Sequence, residues 1–536
     1  MRRILCLLLA LCLLCPALAG CGETPLPEET RTEPRPEELC RNVLPEAPGV
    51  KAAPAEIRQP PETIKVSQVR TGETVLQDVS FVLVYDPLIY NENSRQQIEM
   101  TTLYSGDMSR QIITGLNRAG EQDPLIPELP RMISQAEINR GLDLGDEKPM
   151  PGRAVGDDPV YELGSTHGFF CKDASMSLRV KRDFTCVYVG ETCYIWSVDQ
   201  SVGEEEAAMV AREFDEKIFP QDVEYFGTPR FTENGGKVNV LFYPLPEGLC
   251  GFFTRYDLFS SSEYPKSLAE RMTLNTDHAI ITINSEMLKT DLPEVYATLA
   301  HELQHLICAT EARYYADSPF VQTWLDEAMS ACAEERCYPG IKNEGCYNLL
   351  LYFSDNFRKG QSLYNFDNET DVYIGAYGVV YLFEKYLCQH AGDDVFSKIH
   401  NCWRESYRAD ITEAEAICTS VPPEFLEELD EKYTFPPSIS ERFSSREEEW
   451  MSKMTLDFYL ETLSPELAEL MDWTDIAHRF MLYSEVNPLD IQGGGRVIVA
   501  TENGSFTIPD DAGKGLIFVG LDKDFNVVTE LYSNAK

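Results

Sequence analysis

Histidine is scarce in this chain, with seven residues in 536. A chance His-Glu-x-x-His match is therefore expected in only about one such chain in a hundred. Basic residues are the second shortage: 46 Lys and Arg against 88 Asp and Glu leave a net charge of −42. That balance disfavours nucleic acid and anionic lipid as partners and supports solubility outside a membrane. No apolar run long enough to span a bilayer follows residue 20, which excludes a membrane-embedded enzyme. Beyond Cys21 there is no Cys-x-x-Cys pair, which argues against a cysteine-only zinc ribbon. The run Gly493-Gly494-Gly495 lacks the Lys-Ser/Thr of a phosphate loop and reads as a turn or hinge.

What remains is globular in composition, at 43% hydrophobic and 25% charged residues. The length allows two to four domains at about 150 residues each. Arg2 and Arg3 precede an apolar stretch, Ile4 to Leu14, too short for a comfortable spanning helix. Residues 1–20 are expected to be a signal peptide. Leu18-Ala19-Gly20-Cys21 resembles the lipobox of bacterial lipoproteins, which implies lipidation of Cys21 and a membrane-anchored, extracytoplasmic protein. Residues 21–63, rich in Pro, Glu and Thr, read as a solvated tether. Of sixteen cysteines, Cys6, Cys12 and Cys15 leave with the signal and Cys21 carries lipid, so twelve remain. An even number in an exported chain permits disulfides, and a local bridge among Cys332, Cys337 and Cys346 is plausible.

Residues 64–200 have strand texture and are expected to form a β-rich accessory domain. Thr74-Val75-Leu76 and Ser80 to Tyr85 read as strands, the second ended by Asp86-Pro87; Asp183 to Val189 and Thr192 to Trp196 read as a hairpin about Gly190-Glu191. His167 stands alone and reads as structural. From residue 201 to 440 the order is that of a catalytic domain. A helix from Glu204 to Ile218 ends at Pro220, and strands follow at Lys237 to Tyr243 and Ala279 to Asn284. Residues 441–536 read as a helical stretch (Glu447 to Phe480) and a small β module: Arg496 to Ala500, Gly515 to Val519 and Asn526 to Val528.

The chemistry concentrates in His301-Glu302-Leu303-Gln304-His305. Helical residues four apart share a face, so His301 and His305 can reach one metal ion. Glu302, rotated by about 100°, can flank the ion and act on a water. Asp291 caps this helix, with Pro293 in its first turn and Glu294 three residues on. Val295, Tyr296, Leu299, Leu303, Leu306 and Ile307 fill one apolar sector of about 120°. His301, His305 and Cys308 fall opposite, facing an expected cleft.

A catalytic zinc needs a third protein ligand and an open position. The extended motif with a Gly three and a His six residues after the second histidine is absent, since Cys308 and Glu311 occupy those places. The metzincin arrangement is thereby disfavoured. A second helix at Trp324-Leu325-Asp326-Glu327-Ala328-Met329-Ser330 offers Glu327, twenty-two residues after His305. Asp326, and more weakly Glu311, compete for the role. This pairing resembles the gluzincins, and within them the hyicolysin-like extracytoplasmic metallopeptidases. Further likenesses are Phe214 to Pro220, Phe242-Tyr243-Pro244-Leu245, Gly251-Phe252-Phe253 with Asp257, and Gly375 to Phe383. One departure is Asp326-Glu327-Ala328, where the family more often has Asn-Glu-Gly.

The resemblance implies an α+β fold with a zincin-like (gluzincin-like) catalytic domain, Zn2+ as cofactor and a protein or peptide as substrate. It assigns His301, His305 and Glu327 as ligands, and Glu302 as the base that takes a proton from the attacking water and returns it to the leaving amine. Tyr377 would donate to the developing oxyanion, as a tyrosine downstream of the second motif does in related gluzincins; Tyr373, His390 and His400 are rivals. The alternative is a non-enzymatic surface lipoprotein binding an envelope or host ligand, its zinc structural and closed by a fourth ligand such as Cys308 or Asp326.

Overall fold

The computed structural model describes residues 160–463 almost throughout, with its main breaks at 173–178, 259–272, 315–321, 342–361, 365–373 and 407–410; short stretches between 64 and 102 and between 490 and 533 are described as well. The expected signal peptide, Cys21 and the tether lie outside the described residues.

After β1 (Phe81–Tyr85), the strands β2 (Thr166–Lys172), β3 (Arg179–Val189) and β4 (Cys193–Ser197) run as an antiparallel meander. With β5 (Val238–Tyr243), β6 (Gly251–Phe253) and β7 (Ile280–Asn284) they form one six-stranded sheet, ordered β6-β7-β5-β4-β3-β2. The parallel strands β4, β5 and β7 are buried at every position, as strands covered on both faces must be. β3 buries Phe184 and Cys186 and leaves its other residues partly or fully exposed, so it lies nearer solvent. The expected domain boundary near residue 200 therefore runs through a sheet. β4 pairs parallel with β5, so residues 166–197 belong with the strands that follow them. A hairpin reads from sequence as a closed unit because its pairing is local; the pairing of its outer edge with β5 leaves no local sign.

The helix expected to stop at Pro220 continues. α1 (Glu204–Glu213) passes through a π-helical turn, Phe214–Ile218, into α2 (Phe219–Phe226). The Phe219 N–H donates to Phe214 O, five residues back, and this resets the ladder so that Pro220 falls in the first turn of α2, where its missing N–H costs little.

α3 (Leu292–Tyr314) and α4 (Thr323–Cys337) pack against each other, and α5 (Ile374–Ala391) lies on α4. α3 also lies on β6 and β7. Gly251 permits this approach: a Cβ there would stand 2.6 Å from Thr282 O and 2.7 Å from Thr298 Cγ2. Behind follow α6 (Val395–Ser406), α7 (Glu413–Ser420), α8 (Pro423–Lys432) and α9 (Arg446–Glu461). Asp457 of α9 accepts from Lys432 Nζ, Tyr386 OH and Tyr433 OH, which ties α5 and α8 to α9. The helical stretch expected to reach Phe480 is described as far as Glu461; residues 464–489 lie outside the described residues.

The terminal strands correct a second boundary. β1 lies between β8 (Arg496–Ala500) and β9 (Ile517–Leu521), antiparallel to both, with Phe81 opposite Ala500 and Leu521. The first and last β segments are thus one sheet, not an accessory domain and a separate module. Val82, Leu83, Val84 and Tyr85 are fully buried there, and Tyr85 OH donates to Ser452 O of α9 at 3.0 Å. The expected strand at Gly515 to Val519 sits two residues later; of Asn526 to Val528, Val527 forms an isolated bridge to Leu521, and Val528 lies outside the described residues. Gly494 turns at φ +73°, where an added Cβ would stand 2.9 Å from the Tyr364 ring. Among the described residues no helix is long and apolar enough to cross a membrane.

Candidate active site

α3 forms as its sequence prescribes. Asp291 Oδ1 accepts from Glu294 N at 3.4 Å, and Val295, Leu299, Leu303, Leu306 and Ile307 are fully buried against the core. His301 and His305 project from another face and keep 14% and 13% of their side-chain surface exposed. Cys308, expected on that open side, is buried in the core. Of the three cysteines among which a local bridge was expected, Cys332 and Cys337 are not joined. Both thiols are free, Cys337 meeting Asp222 Oδ1 at 3.7 Å and Cys332 meeting Tyr225 OH at 3.8 Å; Cys346 lies outside the described residues.

The two imidazoles meet edge to face, with Nε2 atoms 3.1 Å apart. Glu327 Oε2 of α4 lies 3.2 Å from His301 Nε2 and 3.7 Å from His305 Nε2. Zinc bonded tetrahedrally at about 2.0–2.1 Å sets neighbouring donor atoms about 3.3 Å apart. The three observed separations bracket that edge, so this donor set fits zinc.

The outer nitrogens are also held. His301 Nδ1–H donates to Glu334 Oε1 at 2.6 Å, and Asp326 Oδ2 lies 3.0 Å from His305 Nδ1. A carboxylate on each Nδ1 fixes the tautomer that leaves Nε2 free to ligate. Ser330 Oγ donates to Gln304 Oε1 at 2.5 Å and lies 3.2 Å from His305 Nδ1, bracing the same ring. Asp326, weighed as a competing ligand, therefore meets the outer nitrogen. The side chain of Glu311 lies outside the described residues.

Burial pushes Glu302 above the usual carboxylate range, with His301 and His305 opposing and a backbone hydrogen bond from Phe253 of β6 also holding the charge. In Glu327 burial acts in the same sense, but His305 and His301 outweigh it and hold the carboxyl down to about 2. Two acids in one site are thus driven apart, one able to carry a proton and one fixed as an anion. Burial disfavours charge on His305, yet Asp326 and Glu327 prevail and push it well above its ordinary range. The site calls for a positive charge.

Tyr377 of α5 lies near enough to Glu327 and Glu302 to feel both carboxylates. Burial, then the Glu327 and Glu302 carboxylates, push its phenol far up, so it stays protonated and able to donate. Of its rivals, His400 also feels a carboxylate of the site, that of Asp326. His390 Nε2 lies 2.8 Å from Glu461 Oε2, and His400 is buried against the Phe226 ring. Tyr373 lies outside the described residues. His167 packs among Tyr161, Phe169, Trp196 and His278, in keeping with a structural role.

Glu334 and Ser330 were not anticipated from sequence. The signal was there, because positions three and seven residues after Glu327 share its helical face. The Phe253 contact had no such signal, since it depends on where β6 docks.

A curated relative, the neutral metalloprotease ShpI of Staphylococcus hyicus, is 30% identical over 223 residues, covering 40% of this chain and 49% of the relative. The chain thus matches about half the length of that metalloprotease. Among solved structures, yeast LTA4 hydrolase in complex with bestatin aligns over 53% of this chain and 49% of its own, at 12% identity and a TM-score of 0.29. That likeness is too slight to carry an argument. No family model matches the chain.

Proposed function

We propose that this chain is a zinc-dependent endopeptidase of the gluzincin type, similar to the hyicolysin-like enzymes, working outside the cytoplasm on a lipid anchor at Cys21. The observation that carries the enzymatic reading is the convergence of His301 Nε2, His305 Nε2 and Glu327 Oε2, with both outer nitrogens engaged and Glu302 alongside. The metalloprotease relative supports it. His301, His305 and Glu327 would hold the zinc, which when bound supplies Lewis acidity toward a peptide carbonyl and an acidified water. Glu302 takes the proton of the attacking water and delivers it to the leaving amine. Its burial and its tie to Phe253 N–H keep the carboxyl aimed while it does so. Tyr377 donates to the carbonyl oxygen as negative charge develops there.

The test is direct. Purified protein should carry about one zinc at this site and cleave casein, and Glu302→Gln should retain the metal and lose cleavage. A wild type that binds no zinc, or a fully active Glu302→Gln, overturns the reading. The anchor, which rests on Leu18-Ala19-Gly20-Cys21 alone, predicts that Cys21→Ser abolishes fatty-acid labelling and releases the protein from membranes. Labelling that persists in that variant overturns the anchor.

A closed structural zinc, as in a non-enzymatic surface lipoprotein, would need a fourth protein ligand. The two candidates do not favour it, since Cys308 is buried in the core and Asp326 faces Nδ1 of His305.

A further inference from the structure

A second convergence of ligand atoms lies where α4 meets α5. Cys332 of α4, with Glu384 and Cys388 of α5, brings two thiols and a carboxylate oxygen within 4.8 Å of one another. Glu384 and Cys388 are four residues apart, the spacing that puts two side chains on one helical face. Cys332 and Glu384 are almost sealed from solvent, at 1% and 3% exposure, while Cys388 is half-buried and gives access. Cys388 Sγ donates to Glu384 Oε1 at 3.4 Å. The other oxygen, Oε2, is buried and makes no hydrogen bond. Lys385 Nζ stands 3.8 Å from it and is itself held 2.6 Å from Glu335 Oε1.

A carboxyl group buried where two helices pack is costly unless something uses it. Leu or Met would pack there with no polar atom to satisfy. A disulfide would account for the two thiols and leave Glu384 Oε2 without a hydrogen bond. A cation accounts for all three groups. We propose that Cys332, Cys388 and Glu384 form a second metal site, taking a thiophilic divalent cation of the zinc class and independent of the His301–His305–Glu327 site. Binding releases both thiol protons to solvent, so two thiolates and one carboxylate face the ion. Lys385, shared with Glu335, stands beside the remaining negative charge. Thiolates select such ions over magnesium and calcium. The bound ion would join α4, which carries Glu327, to α5, which carries Tyr377.

Cobalt titration of the full-length chain tests this. Only a thiolate ligand gives a sulfur-to-cobalt charge-transfer band in the near ultraviolet, and the His301–His305–Glu327 site offers no sulfur. Wild type should take up about two cobalt ions per chain and show the band. The double variant Cys332→Ser/Cys388→Ser should fall to about one ion and lose the band. His301→Ala should keep the band, so failure of the protease reading and failure of this one are separately visible. Without any variant, zinc should slow iodoacetamide alkylation of Cys388 about tenfold or more. The proposal is overturned by a wild type without the band at saturating cobalt, by a band surviving the double substitution, by unslowed alkylation, or by a Cys332–Cys388 disulfide in protein isolated without reductant.

Discussion

Removing the Glu334 carboxylate should loosen the metal while leaving the three ligands untouched. His301 Nδ1–H donates to Glu334 Oε1 at 2.6 Å, and that carboxylate is only 4% exposed. Without it the imidazole can take the other tautomer or rotate, and Nε2 becomes a poorer donor. Outer partners of this kind are worth about 10–100-fold in metal affinity, or about 1.4–2.7 kcal/mol. The short, charge-assisted and nearly dry bond places Glu334→Ala toward the upper end, near 100-fold. Glu334→Gln keeps an accepting oxygen and loses the charge, so about tenfold is expected. Zinc competition against a chromophoric chelator at neutral pH reads the affinity, and circular dichroism establishes that the variants fold. At saturating zinc, kcat should recover to within a few-fold of wild type. A folded Glu334→Ala binding zinc within about twofold of wild type would refute the inference that this carboxylate positions His301.

Tyr377→Phe removes the expected oxyanion donor and should lower kcat about 100-fold with little change in KM; a kcat within about threefold of wild type removes Tyr377 from the mechanism. His400 gives a pH signature. Burial, and next the nearby Arg404, hold it at about 4, below its ordinary value of about 6.5. The folded chain refuses a proton that the unfolded chain accepts, so stability is complete above about pH 6.5 and falls by about 3 kcal/mol as pH drops to about 4. Urea midpoints should show wild type losing this increment and His400→Leu keeping it; parallel pH dependence of the two contradicts the assignment. Leu303, fully buried on the face of α3 away from the site, should cost about 2–5 kcal/mol when cut to Ala. A loss below about 1 kcal/mol in chemical denaturation would mean that face is not packed as described.

The helix α3 was legible because everything that makes it is local: the Asp291 cap, the apolar stripe and the four-residue histidine spacing. Glu327 was legible for a related reason, since a carboxylate on a second helix is the residue type a third zinc position requires. Its neighbours divide by the same criterion. Glu334 and Ser330 lie on the same helical face as Glu327 and could have been read. The contact from Phe253 to Glu302 could not, because it joins an edge strand to a helix almost fifty residues later. The misplaced domain boundaries have one cause as well. The short apolar runs of β1 and β4 announce strands, but the choice of partner is made by faces brought together from far along the chain. The π turn before Pro220 adds a subtler case, because a proline reads as a stop only while the hydrogen-bond ladder keeps its register.

The pairing of β1 with β8 and β9 sets the order in which this protein can be completed. Its first buried strand cannot be covered until some four hundred further residues have been made, because both of its neighbours come from the end of the chain. Until then Val82, Leu83 and Val84 wait with two open edges, which are templates for pairing with another molecule. A protein cut before residue 490 keeps every candidate catalytic residue and loses both partners of β1. It should fail by aggregation and not by loss of chemistry. The last strands act as a closing seal, and an expression design that trims or burdens the C-terminal end acts directly on the beginning of the fold.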